Sequence, residues 1–243
     1  MNIRIRSAAT LLSAGLAFST GATAANSNGN GSLLPFVASY TFNYKGMNAG
    51  VTTLSLARTD DHWTYRSTGE PSGLFKLLPI DNPTQTSEMR VAATGVQPLR
   101  FRQTNGSGSD HAIDIRFDWD TNHVLGTVEN KPVDEQIPAD TQDDLSVQIA
   151  LTTAMARGQD SGTLHTYGDR GLREYRYRAD GEELLHTAIG DVATRIYVTE
   201  RSGSPRTTRY WCAPSYGYLP LRVQQKRLNE LEWTLEVRSL NRG

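Results

Sequence analysis

Cysteine is almost absent from this chain: among 243 residues, Cys212 is the only one. No intrachain disulfide can form, so the hydrophobic core must supply the stability even in an oxidising compartment. The aromatic and apolar setting "RYWCAP" marks Cys212 as a small buried hydrophobe more than as a reactive thiol. Metal-ligand spacing is lacking too. His62, His111, His123, His165 and His186 are scattered without His-x-His or HExxH, and one cysteine alone could join them. There is no GxSxG context for a nucleophilic serine and no glycine-rich phosphate loop. Neither sign of charge dominates, with 25 basic against 26 acidic residues, which disfavours a nucleic-acid partner. The reading is therefore of a chain with no cofactor and no metal, leaning away from an enzyme.

What is present begins at the N-terminus. A short basic start (Arg4, Arg6), an apolar run from Ala8 to about Phe18 and the small-residue exit Ala22-Thr23-Ala24 read as a secretory signal peptide over residues 1–24. The run is too short and too rich in Ser, Gly and Thr to remain as a membrane-spanning helix, and no cysteine near the exit supports a lipoprotein anchor. The expected location is the periplasm. Residues 25–34, with "ANSNGNGS", read as a flexible tether, and residues 35–243 as a single domain.

Period-two alternation dominates that domain. In "DHAIDIRFDWD", Ile113, Ile115, Phe117 and Trp119 share one face, while Asp114, Arg116, Asp118 and Asp120 share the other. Similar segments recur from Phe36 to Val237, about a dozen in all, separated by Gly, Asn, Asp and Pro; "RLNELE" marks a tight hairpin turn. The expected fold class is all-β, mainly antiparallel, as a curved sheet or up-and-down barrel-like domain. Two stretches do not alternate. "PSGLFKLLPIDNP" reads as a long apolar loop of the kind that forms a lid or rim. "DTQDDLSVQIALTTAMARG" reads as one helix over about 143–157, apolar on every side from Leu145 to Met155 and so packed in or over the sheet.

That helix opens with Asp140, Asp143 and Asp144. Thr141 or Asp143 can cap free backbone N–H groups, and Thr141 with Asp144 has the spacing of a capping box. Arg157 and Gly158 form the stop signal. Asp118, Asp120, Asn122 and Glu129 have calcium-loop spacing, but His123 stands where that loop needs glycine, so the segment reads as a hairpin connection. Candidate ligand contacts are Phe75 and Leu78 in the apolar loop, Asp143 at the helix start, and Tyr210 and Trp211 on an aromatic strand whose arginine neighbours suit sugar rings or acidic head groups.

Taken in order, "FVASYTFNYKGMNAG", "FDWD", "TQDDLS" and "YWCAPSYGYLPLRV" resemble the exported bacterial proteins grouped as domain of unknown function 3108, over Phe36 to Leu240. The resemblance implies a single curved antiparallel β domain, exported, with no assigned activity. Three functions are compatible with this reading. The first is an envelope protein holding an amphipathic ligand, lipid or glycan, in the concave sheet. The second is a hydrolase of envelope glycans using Asp143 or Asp144 with a second carboxylate such as Asp118, a pair that needs a separation of about 5–10 Å across a cleft. The third is a structural partner of another envelope protein.

Overall fold

The computed structural model describes residues 33–77, 83–92, 94–105 and 108–242. The proposed signal peptide, most of the tether and Leu78 lie outside the described residues. The strands are β1 (Phe36–Tyr44), β2 (Met47–Arg58), β3 (Trp63–Pro71), β4 (Thr84–Ala92), β5 (Gly95–Asn105), β6 (Gly108–Asp118), β7 (His123–Val128) and β8 (Lys131–Gln136). Then come β9 (Thr141–Asp143), the helix α1 (Ser146–Ala156), β10 (Ser161–Gly168), β11 (Gly171–Thr187), β12 (Gly190–Glu200), β13 (Arg206–Ala213), β14 (Leu219–Arg227) and β15 (Glu230–Arg242).

All of them belong to one sheet, ordered β8-β7-β6-β5-β4-β3-β2-β1-β15-β14-β13-β12-β11-β10-β9. Nearly every neighbour is joined by a short antiparallel connection. The exceptions are β1 with β15, which unite the two ends of the domain, and β9 with β10, which run parallel. The sheet curls, and its two edges approach each other, with Glu135 of β8 facing the Tyr167 hydroxyl of β10.

Register explains the core. Leu56, Tyr65, Ser87, Phe101 and Ile115 stand opposite one another in succession across β2 to β6. All five are buried. Tyr197, Tyr210, Val223 and Leu235 form a second such row across β12 to β15. α1 packs against β4, β5 and β9, on the side these rows line. Val147, Ile149, Leu151 and Met155 are buried together with Ser146, Gln148 and Thr152, while Ala150, Thr153 and Ala154 form a half-buried stripe and Ala156 is exposed, so the helix packs into the curl with only a narrow side of small residues toward solvent.

Several expectations are refined. The helix begins at Ser146, and Thr141–Asp143 is extended edge strand because it pairs with His165–Tyr167. β8 and the second half of β11 were not anticipated. The apolar loop contains a 3-10 turn, Gly73–Leu77. Leu33, assigned by composition to the tether, packs against the core. The hairpin at Leu228-Asn229 is as read, with both residues at positive φ.

Because Leu151 is buried inside the curl, Leu151→Ala should lower stability by about 2–5 kcal/mol in urea denaturation. A loss below about 1 kcal/mol would place the helix on the core instead of in it.

Candidate functional site

The chain turns inward after β9, and Asp143 holds that turn. Its Oδ1 accepts the backbone N–H groups of Leu145 and Ser146, each at 2.7 Å. Its Oδ2 accepts the Ser87 hydroxyl at 2.5 Å, and its own N–H donates to Ser146 Oγ at 2.9 Å. Asp143 and Ser146 thus cap each other reciprocally, a capping box with serine in the final place. The box expected from Thr141 and Asp144 is not formed. Thr141 Oγ1 donates to the Pro138 carbonyl at 2.7 Å, and Asp144 turns the other way. Ser87 is the polar member of an otherwise apolar row because it meets this carboxylate.

Asp144 lies 3.6 Å from Arg173 Nη2, and both are buried. Arg173 also binds Asp169 at 3.0 Å and donates to the Tyr175 hydroxyl at 3.0 Å. A β-carbon on Gly168 would stand 2.0 Å from Asp144 Oδ2, so the carboxylate occupies space that only glycine leaves open. Burial raises the Asp143 pKa to about 6, against the pull of its hydrogen bonds. Burial likewise raises Asp144 to about 7, with Arg173 opposing.

Such values would suit acid–base catalysis, but the geometry does not. Asp143 is fully buried with both oxygens engaged by the fold, and Asp144 is closed in by Arg173 and Gly168. Asp118, the suggested partner, spends its oxygens on the Asp120 N–H and the Thr121 hydroxyl in the β6–β7 turn. These carboxylates anchor structure, and the turn takes the place of a calcium loop.

A cavity of about 50 Å³ lies where β1 begins and β15 ends, between one side of α1 and the Tyr216-Gly217 corner. Leu33, Phe36, Ile149 and Leu219 give it apolar walls; Gln148 and Arg242 add polar groups. The Tyr65 hydroxyl donates to Gln148 Oε1 at 2.6 Å. The Arg242 guanidinium stacks 5.4 Å from the Tyr216 ring centre and donates through Nη2 to the Tyr216 carbonyl. Its Nε is buried and has no hydrogen-bond partner among the described residues, and burial holds its pKa below the usual arginine value.

The described members of the expected ligand set do not converge. Phe75 is buried against Ala49, with Phe42 and Tyr44, at the opposite end of β1 from the cavity. Tyr210 points into the core, and Trp211, the next residue on the strand, lies on the other face. There its indole donates to Glu183 at 2.8 Å, with the Arg209 and Arg222 guanidiniums each 5.6 Å from the ring centre. Ser87, Gln148 and Arg242 carry no local sequence signal for the places they hold. Only Arg173 carried a signal, since it shares the parity of Tyr175 and Tyr177 on β11.

Cys212 is buried, and burial pushes its thiol far above the usual range, which leaves it unreactive. His62, His123, His165 and His186 each face an aspartate, while the side chain of His111 lies outside the described residues. Among the described residues no His, Cys, Asp and Glu cluster is suited to a metal ion. None of the described helices is long and apolar enough to cross a membrane.

Fold and interior helix together define a β-barrel-like protein built from one open, curved antiparallel sheet. The crystal structure of a β-barrel-like protein of domain of unknown function DUF1849 from Brucella abortus shares this fold, with a TM-score of 0.56 and 9% identity over 87% of this chain and 98% of that one. The chain belongs to the family described as "Protein of unknown function (DUF3108)", whose profile matches residues 39–230. A protein of YmcC-like fold from Bacteroides fragilis aligns at a TM-score of 0.36 and 11% identity, over 85% of this chain and 94% of that one. No curated protein matches the sequence.

Raised carboxylate pKa values have a signed consequence. Asp143 and Asp144 bind protons more tightly when folded than when unfolded, so their contribution to stability is complete below about pH 4 and is lost as pH rises through about 6 to 7. Asp114, Asp118 and Glu232, held low by their partners, act in the opposite sense only at more acid pH. From pH 5.5 to 8, urea denaturation should show a loss on the order of 2 kcal/mol that Asp143→Asn/Asp144→Asn largely abolishes. An equal loss in the double variant would assign the titration to other groups.

Proposed function

We propose that this is an exported envelope protein that binds an amphipathic ligand, a lipid or a glycan, with the ligand's apolar end in the cavity between α1 and the start of β1. The observation that carries the reading is the composition of that cavity: apolar walls from four segments, with the cation Arg242 among its lining residues. Sites for small amphipathic molecules combine these features, mostly apolar surface with a few fixed polar groups. The basic and apolar pattern of residues 1–24 supports export to the periplasm. At about 50 Å³ the cavity takes part of a ligand only, so the rest lies over the rim near Leu34 and Tyr216. Binding beside the helix in this way requires no displacement of it.

Native mass spectrometry of protein purified from the periplasm should find a co-purifying lipid or glycan. Thr153→Trp, which fills the cavity from the helix side, should reduce its occupancy about tenfold or more with little change in melting temperature. Absence of any bound species from the unaltered protein, together with no thermal shift on adding envelope extract, overturns the proposal.

A further inference from the structure

Five of the large apolar side chains exposed on this protein gather at the end of the sheet away from the cavity. They are Met47 (55% exposed), Leu74 (74%), Leu77 (81%), Leu228 (74%) and Leu231 (40%). They lie in or directly beside three connections: β1–β2, β3–β4 and β14–β15. Contacts tie these connections into one rim. Phe75, between Leu74 and Leu77, packs on Ala49 with Phe42 and Tyr44. Tyr44 pairs with Trp233, and the Lys45 N–H donates to the Glu232 carbonyl at 3.0 Å. The Leu228 N–H in turn donates to the Pro205 carbonyl at 2.9 Å, joining the β12–β13 connection.

Folding does not explain these residues. Leu228 occupies a two-residue hairpin turn at a φ of 51°, a position that Asn, Asp or Gly fills without strain. A bulky residue there costs backbone energy while leaving its side chain in water, a combination retained where a surface is used. Lys45, Lys76, Lys226 and Arg227 stand exposed on or beside the same turns, against exposed Glu70 and Glu230. Glu232 is neutralised by Arg206 at 2.7 Å. The rim is thus locally basic on a chain whose overall charge is −1.

We infer that this rim docks on the surface of an anionic phospholipid bilayer, with the leucines and Met47 entering the head-group boundary and the lysines and Arg227 meeting lipid phosphates. Aliphatic tips on separate turns, each flanked by a cation, match a soft apolar layer under a negative surface better than the flat, packed core of a protein interface. This end is remote from the cavity, so the inference stands apart from the ligand proposal.

Flotation of the full chain with phosphatidylglycerol/phosphatidylethanolamine vesicles should show binding that weakens in pure phosphatidylcholine and at high salt. Leu74→Ser/Leu77→Ser should lower partitioning about tenfold or more. Leu228→Asn should also lower it while leaving thermal stability unchanged or higher, which separates docking from folding. Ligand co-purification should be unaffected by either variant. The inference is overturned by an absence of binding to the anionic vesicles, by binding that the leucine variants leave intact, or by a concentration-dependent dimer in light scattering that these variants abolish. The last result would assign the rim to a second copy of the chain.

Discussion

Asp143 joins three elements through one carboxylate. The last residue of an edge strand, it caps the first turn of the only α-helix among the described residues and accepts a hydrogen bond from Ser87 in the middle of the sheet. A helix with no polar face has no stable place on a surface, and a sharply curled sheet has an interior to fill. The turn at Asp143 lets one segment satisfy both conditions. Its cost is the burial of two adjacent carboxylates, offset at Asp143 by hydrogen bonds and at Asp144 by Arg173. Acids that look catalytic by pKa alone are in this way consumed by architecture.

The sheet adds a second constraint. Almost every strand pairs with its neighbour in sequence, so most of the ladder is local. The β1–β15 pairing is the exception, bringing together Ser39 and Ser239, 200 residues apart. Because these terminal strands lie at the centre of the sheet and not at its edges, loss of either would expose two new edges in the middle of the domain. The true edges are managed differently. β8 carries Pro132 and charged residues, while β9 is only three residues long and covered by the chain that follows it.

Strands were legible where one face is buried and the other wet, because alternation then reports burial directly; β6 is an example, with Ile113, Ile115 and Phe117 buried. β8 is exposed on nearly every residue, and β9 is buried on every residue though wholly polar, so neither alternates. The second half of β11 follows a bulge near Ala179 that breaks the period. At the helix, local chemistry offered Thr141 or Asp143 as the cap, two boxes displaced by two residues that fit the sequence nearly equally well, and only pairing of Thr141 with β10 decides between them. Partners far apart in sequence, such as Ser87 with Asp143 or Arg173 with Asp144, leave no local trace. Adjacent Tyr210 and Trp211 could have been recognised as facing opposite ways, since strand parity alone separates them.

The two ends of the domain differ as a result. At one end the anchored helix leaves a small cavity under Arg242; at the other the turns present aliphatic tips to the surroundings. Both depend on α1 being a fixed part of the core. Native-state hydrogen exchange of the amides from Ile149 to Met155 tests that most directly. The account predicts that they exchange only through global unfolding, with the same free energy as the most protected strands. Exchange through a local opening of much lower free energy would contradict it, and would make the helix a movable cover.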